Sequence, residues 1–412
     1  MKRQLTKNDI GRKNLNSLSI FNATSHLWFD GGLWLIYFQH QGVTLFQVGI
    51  LEAILHIVAV ASDLPIGVFA DRFGWKLSLS LGSLLGVGYT SIALFGHGFW
   101  WFAVAFACRG LQVTFTNGSD SSLAYESAVW AGMKEQYLKI SGRMFAISLV
   151  SLGVAEGAGG ALAHFSWASI YIAFTVANLT SFVVLQTLRE PRHDHVADVR
   201  EHSSITKIAA DAYQFARKSP VFLWWILLSA TISGFVASFS FYGQSMLIHA
   251  GWSLIGIGIL TGTENGLGAL AASLSDRASR RVGQIHLFLW ASVLVSAGLL
   301  LFAWLPGLVA ASGYILASVA GAFFEPMIDQ GLNQVIPTGQ RATLLSVNST
   351  AFSLFMIVGF PMFGALAEHF GLAPAAKLAS IVGCIVILAT TLLWRALVTN
   401  NRSNEVQRDP AS

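Results

Sequence analysis

One short polar loop decides the fold: Gly67-Val68-Phe69-Ala70-Asp71-Arg72-Phe73-Gly74-Trp75-Lys76, which separates two long apolar segments. A related loop returns in the second half of the chain, where Asp276-Arg277 again follows an apolar segment. Two copies of one loop at matching places indicate an internal repeat, and the two halves run in the same sense.

Length and composition place these loops in a membrane protein. The chain of 412 residues is 54% hydrophobic and 11% charged, whereas soluble domains carry about 25% charged residues. A soluble domain, a coiled coil and a disordered chain are therefore excluded. About 20 apolar residues cross a bilayer as a helix, and the sequence predicts twelve such spans: 16–40, 47–71, 76–97, 99–126, 142–164, 167–188, 220–249, 252–275, 283–305, 308–334, 342–367 and 374–397.

The positive charges predict the orientation of these spans. Lys and Arg accumulate on the cytoplasmic side of membrane proteins. If both termini are cytoplasmic, every Lys and Arg lies in a cytoplasmic segment except two. Lys377 lies on the outer side, and Arg109 lies within a span. We therefore predict a multi-pass protein of the cell (inner) membrane with both termini in the cytoplasm. The net charge of +4 follows from this topology, so no nucleic-acid partner is expected.

The spans group into an all-α polytopic fold of twelve transmembrane helices in two six-helix halves, related as parallel repeats. The predicted organisation is a cytoplasmic N-terminal tail, a six-helix bundle, a cytoplasmic linker, a second six-helix bundle and a cytoplasmic C-terminal tail, at residues 1–15, 16–188, 189–219, 220–397 and 398–412. His193 and His195 lie in the linker, where solvated side chains are expected rather than a metal site.

Two motifs carry a resemblance to a known family. The loop at 67–76, Gly-x-x-x-Asp-Arg-x-Gly-x-Lys, resembles the loop between spans two and three of the major facilitator superfamily. Arg109-x-x-Gln112 in span four is similar to a second motif of that family, although Val113 stands where glycine is expected. The resemblance covers the whole chain and implies a secondary transporter with the fold of that superfamily.

Three further stretches resemble the drug-efflux members of this superfamily. Span five carries Gly153-x-x-x-Gly157-Ala158-Gly159-Gly160, partly similar to an antiporter motif that has proline in place of Ala158. Ser62-Asp63-Leu64-Pro65 and Arg341-Ala342-Thr343 are the other two stretches. This resemblance implies the proton-antiporter branch, whereas the missing proline keeps uptake as an alternative.

The repeated loop also predicts a latch between conformational states. Asp71 at a helix end can face the positive N-terminus of a neighbouring helix, and Arg72 and Lys76 can bridge to acidic groups on span four such as Glu126. The alternative is that these cations only enforce topology. The predicted latch comprises Gly67, Asp71, Arg72, Gly74, Lys76, Glu126, Asp276 and Arg277.

Asp30 in span one and Arg109 in span four are the predicted proton-coupling pair. Each is predicted to lie about 14 Å below the outer surface, counted from the ends of their spans. An ionisable group at a helix centre costs about 2.5–3.5 kcal/mol and so needs a partner or a function. We predict that Asp30 binds the proton and that Arg109 tunes its protonation, because a nearby cation favours the carboxylate.

Polar residues at helical spacing on spans one and four predict an aqueous path, since such stripes are costly against lipid. The alternative is a static polar contact between helices. Glu264 in span eight has three interpretations: a contact for a cationic substrate, a second proton site, or a hydrogen bond between helices. The predicted substrate cavity comprises His26, Gln112, Thr116, Asp120, Glu264 and Glu325.

These features predict a transporter that works by alternating access, with proton-coupled efflux of lipophilic or cationic small molecules as the leading function. The alternative is proton-coupled uptake of a small nutrient or metabolite. The expected partners are the substrate, protons and the lipid bilayer, with the protein a monomer.

An enzyme is not predicted, because the sequence contains no Walker loop, His-Glu-x-x-His or Gly-x-Ser-x-Gly motif. Cys108 and Cys384 lie in apolar segments, so neither a metal site nor another cofactor is expected. A sensor or scaffold that does not transport is the third class considered.

Overall fold

A computed structural model of the chain describes residues 6–190, 214–215, 217–336 and 341–408. Most of the predicted linker, with His193 and His195, and the ends of both predicted tails lie outside these residues. Within them the chain is helical and contains no β-strand.

The chain divides into two compact units, of which the first comprises Met1–Arg200 and Leu247–Gly266. Its interior contains a cluster of apolar side chains from several helices, among them Leu18, Phe21, Leu79 and Leu123. The helices of its first segment are α1 (Lys7–Ser25), α2 (Trp34–His40), α3 (Leu45–Phe73), α4 (Trp75–Phe95), α5 (Phe99–Thr116), α6 (Ser119–Trp130), α7 (Tyr137–Phe165) and α8 (Trp167–Gln186).

The second unit comprises Glu201–Met246 and Leu267–Ser412. Its interior is rich in aromatic contacts: Tyr242 stacks on Phe363 at 4.3 Å between ring centres, and its hydroxyl donates to the carbonyl of Phe360. The later helices of the chain are α9 (Pro220–His249), α10 (Leu254–Val282), α11 (Gln284–Trp304), α12 (Gly307–Val335), α13 (Arg341–Phe370) and α14 (Leu372–Arg408). Helix α10 is shared, since its N-terminal part belongs to the first unit.

Two predicted spans are interrupted in the structure. Ten helices of the described residues are long and apolar enough to cross a membrane. Span one, predicted as continuous, is instead built from α1 and α2 with a break at 26–33, and span four from α5 and α6 with a break at Asn117–Gly118. Gly118 has a φ of 79°, a left-handed conformation that glycine adopts without a steric penalty.

Glycines bring α7 and α10 into backbone contact within the first unit. A Cβ built on Gly258 would lie 2.8 Å from the Cα of Gly160, and one on Gly262 would lie 2.8 Å from the carbonyl oxygen of Gly153. Small residues allow this approach because no side chain separates the backbones. The glycine pattern of span five therefore makes a close helix contact although Ala158 replaces the proline.

Gly74 separates α3 from α4 in the first copy of the repeated loop. Its φ is 106°, and a Cβ added there would collide with the carboxylate of Glu190. Gly67, the other glycine of the loop, lies inside α3 and has no atom within 4 Å of an added Cβ. Glycine is thus required at position 74 and not at position 67.

Gly74→Ala is expected to destabilise the protein by about 1–3 kcal/mol, because alanine is strained at that φ and its methyl group meets Glu190. Gly67→Ala is the matched control, and we expect it to leave the free energy of unfolding unchanged or to raise it by up to about 1 kcal/mol. Thermal unfolding in detergent, followed by circular dichroism, measures both. Equal midpoints for the two variants would contradict this interpretation.

Candidate functional site

The break in span one carries Asp30 into the interior of the first unit. The carbonyl of Asp30 accepts from the amides of Leu33 and Trp34 at 2.8 and 2.7 Å, which starts α2. Its side chain is buried, and the residue is 5% exposed. The hydroxyl of Tyr89, from α4, donates to the Asp30 carboxylate at 2.6 Å.

Arg109, on α5, is also buried. Its guanidinium donates to the side-chain oxygen of Gln112 at 2.8 Å, and the Gln112 amide donates to Asn178 of α8 at 2.9 Å. The guanidinium carbon lies 4.1 Å from the ring centre of Trp28, a residue of the break in span one. An aromatic face attracts a cation, and the attraction grows when water is excluded. Trp28 therefore stabilises the buried charge of Arg109.

Tyr89 links the two predicted proton-coupling residues. Among the residues that the structure describes, Asp30 and Arg109 form no ion pair within 4 Å, although their charges act on each other. The Tyr89 hydroxyl binds Asp30, and the Tyr89 ring centre lies 5.7 Å from the Arg109 guanidinium carbon. The two charges thus share one neighbour.

A pocket of about 230 Å³ opens beside this network in the first unit. Predicted cavity residues His26 and Asp120 both line it. Asp120 lies in the first turn of α6, where its carboxylate accepts from the amide of Ser121 at 2.7 Å. The complete lining is Asn22, His26, Asp120, Ser121, Ala124, Tyr137, Ser141, Met144, Phe145, Ser148, Leu149 and Leu152.

Two stacked rings connect the pocket to Arg109. The rings of His26 and Trp28 are stacked 6.1 Å apart with 9° between their planes, and the Trp28 ring also contacts the Arg109 guanidinium. His26 Nδ1 lies 2.9 Å from the carbonyl oxygen of Asn22. A carbonyl only accepts, so Nδ1 carries the hydrogen of that bond. A ligand that moves His26 would therefore disturb the aromatic face under Arg109.

The other predicted cavity residues lie elsewhere. Gln112 belongs to the Arg109 network, and the Thr116 hydroxyl donates to the backbone carbonyl of Gln112 at 2.9 Å. Glu264 is partly buried on α10. Glu325 is exposed on α12, in the second unit, one helical turn before Asp329. The pocket of the first unit thus contains two of the six predicted residues.

Two residues of the predicted latch, Lys76 and Arg72, contact groups other than Glu126. The Lys76 ammonium donates to the carbonyls of Gln186 and Leu188 at 3.1 and 2.9 Å, at the end of α8, where a cation is favourable. The expected bridge from Lys76 to Glu126 of α6 is therefore not made in this conformation. The Arg72 guanidinium lies over the ring of Phe73, at 5.4 Å.

In the second copy of the loop, Asp276 pairs with Arg280 one turn further along α10, at 2.9 Å. Asp71 and Arg277 are exposed at the corresponding helix ends of α3 and α10. Because both members of the Asp276 pair are exposed, the pair contributes little stability.

Sequence reasoning missed Tyr89 and Asn178, which complete the network around Asp30 and Arg109. Both are buried polar residues within apolar spans. A polar side chain inside an apolar span is also the signal that identified Asp30 and Arg109. On the other spans only charged residues counted as candidates. A search for every polar side chain in the middle of a span would have found both.

Comparison with known proteins identifies the family. The family model described as Major Facilitator Superfamily matches residues 17–328. The chain is 21% identical over 393 residues to the uncharacterized MFS-type transporter YxaM of Bacillus subtilis (strain 168), with 91% of this chain and 93% of YxaM covered.

Solved structures show the same fold. A mutant form of the nucleoside transporter NupG is similar with a TM-score of 0.79 and 15% identity, over 93% of this chain and 99% of that chain. A D-xylose-proton symporter is similar with a TM-score of 0.68 and 16% identity, over 93% and 95% of the two chains. These relatives are transporters and not enzymes, as the sequence predicted. Since the family model matches most of its length, the chain belongs to the major facilitator superfamily.

Proposed function

We propose that the protein is a proton-coupled antiporter that exports lipophilic organic cations by alternating access. The observation that carries this proposal is the separation of two carboxylates in the first unit. Asp30 is buried and held by Tyr89, whereas Asp120 lines the pocket. This separation supports a proton-binding role for Asp30 and a cation-binding role for Asp120.

Asp30 is suited to proton binding because the nearby charge of Arg109 influences whether its carboxyl group is protonated. A nearby cation favours the carboxylate, and removal of that cation in a dry site favours the protonated acid. Arg109 is held by the Trp28 ring and by Gln112 instead of by a direct ion pair with Asp30. A shift of Trp28 therefore changes the charge that Asp30 experiences without breaking a salt bridge.

The pocket has the chemistry of a site for a cation with an apolar body. Asp120 supplies the negative charge, and Tyr137 and Phe145 supply aromatic surface among aliphatic side chains. Aromatic faces and a carboxylate both attract cations. The stacked rings of His26 and Trp28 then connect the bound cation to Arg109. Substrate binding can therefore affect proton binding through these contacts.

One further observation supports export, and another supports the proposed orientation of the termini. The glycines of span five, which resemble an antiporter motif, make a close contact with α10. The distribution of Lys and Arg supports a cytoplasmic location of both termini in a cell membrane.

Ethidium accumulation in proteoliposomes tests the proposal, because ethidium is a permanent cation and does not accumulate merely as a weak base. The membrane potential is clamped to zero, and the lumen is made acidic by about two pH units, which limits one-for-one exchange to about a hundredfold accumulation. We expect accumulation that requires the protein and disappears with a protonophore. The reversed gradient, with acid outside, should give none.

The direction of the gradient separates the two functions. Accumulation of ethidium only with acid outside would indicate symport and overturn the antiport mechanism. Absence of ethidium transport, together with uptake of uridine driven by acid outside, would replace export by nutrient uptake. Liposomes without protein control for passive binding of the dye.

A further inference from the structure

Glu156 of α7 is a second carboxylate at the break in span one. The side-chain amide of Asn265, on α10, donates to Glu156 Oε2 at 2.6 Å and also to the backbone carbonyl of Thr261 at 3.1 Å. The hydrogen bond from Asn265 to Glu156 therefore ties α7 to α10 directly beside their glycine contact.

The charges that face Glu156 are all negative. Asp30 and Glu264 both act on it electrostatically. Among the residues that the structure describes, no Lys, Arg or His forms an ion pair with Glu156. A Cβ added at Gly31 would lie 2.5 Å from Glu156 Oε1, so the carboxyl group packs against the residue that follows Asp30. Three acidic groups thus act on one another, with Asp30 buried and Glu156 and Glu264 partly buried.

We propose that Glu156 is a second proton-carrying residue and that its proton closes the contact between α7 and α10. This inference rests on the proton-coupled function proposed above and adds a residue that acts on the conformational change. Water supplies the proton when the contact closes, and the proton returns to water when the contact opens.

The physical reason is the cost of enclosing like charges. An ionised Glu156 in the closed contact would face Asp30 and Glu264 with no cation paired to Glu156 itself, and repulsion between like charges grows as water is removed. A proton on Glu156 removes this repulsion and leaves Oε2 free to accept from Asn265. When α7 and α10 separate, water solvates the carboxylate and the proton leaves.

The distance between the end of α7 and the turn that precedes α10 tests this inference without any substrate. Spin labels are attached at Phe165→Cys and Ala250→Cys, both exposed positions of the first unit, in a chain that carries Cys108→Ala and Cys384→Ala. Double electron–electron resonance then measures the label distance from mildly acidic to mildly alkaline pH. We expect the short-distance population to dominate in acid and to be replaced by a longer one as pH rises.

Glu156→Gln cannot ionise but keeps an oxygen that accepts from Asn265. We expect this variant to retain the short distance at every pH, whereas Glu135→Gln, which removes an exposed carboxylate, should respond like the parent. Asn265→Leu removes the donor and should reduce the short-distance population in acid about fivefold. A monodisperse elution profile establishes that each variant is folded.

Three outcomes overturn the role of Glu156: a parent whose label distance ignores pH, a Glu156→Gln variant that responds like the parent, or an unchanged Asn265→Leu variant. None of these readouts measures transport. A failure of the antiport mechanism appears instead in the ethidium assay, so the two failures are distinguishable.

Discussion

Asp30→Asn is expected to reduce gradient-driven ethidium accumulation to the level of liposomes without protein, while exchange of labelled for unlabelled ethidium continues. Asparagine keeps an oxygen that accepts from the Tyr89 hydroxyl, so the buried site stays filled and hydrogen-bonded. It cannot bind and release the proton whose movement is coupled to the substrate, so the proton gradient no longer drives accumulation even though Glu156 can still titrate. Paired accumulation and exchange assays on one preparation measure the two activities.

Glu135→Gln is the matched control, since it removes one carboxylate at an exposed position between α6 and α7. It should leave both accumulation and exchange unchanged. Full gradient-driven accumulation by Asp30→Asn would remove Asp30 from the proton pathway. Loss of exchange as well as accumulation would show that Asp30 is needed for the conformational change itself.

Arg109→Leu is expected to lower the free energy of unfolding by about 1–3 kcal/mol, the cost of leaving a buried hydrogen-bonding group without its partner. The variant leaves the Asp30 carboxylate without its nearby cation and Gln112 without its donor. Adding Asp30→Asn removes the remaining buried charge, so the double variant should regain part of this loss. Thermal unfolding in detergent measures the stability of the parent, of the two single variants and of the double variant.

Arg109→Lys serves as the charge-conserving comparison. Lysine keeps the cation but loses the planar group that stacks on Trp28 and binds Gln112. It should fall between the parent and Arg109→Leu. If the double variant is no more stable than Arg109→Leu alone, Asp30 and Arg109 are not coupled through their charges.

The fold could be predicted because membrane crossing is governed by length and polarity. The apolar runs, the repeated loop and the distribution of Lys and Arg are all properties of the sequence itself, and the family match confirms the membrane-transporter fold. The break at 26–33 was not predicted because its polar residues His26 and Asp30 also fit a polar stripe along one face of a continuous helix. Gly31 and Gly32 also suit close packing inside a continuous helix.

The site was predicted only in part because helical spacing assumes an unbroken helix. Gln112, Thr116 and Asp120 share one face if span four is continuous, but a new helix begins after Gly118. Asp120 therefore reaches the pocket, whereas Gln112 and Thr116 do not. The contact between Glu156 and Asn265 depends on how two distant helices pack, which spacing within one helix does not specify.

The break in span one has a consequence for protein engineering. Glycines in membrane helices are natural targets for stabilising substitutions, since alanine restricts the unfolded chain. At Gly31 and Gly32 an added methyl group would collide with the side chains of Glu156 and Thr261. Substitutions selected for higher thermal stability are therefore expected at other positions. The break at 26–33 should be retained in the stabilised variants.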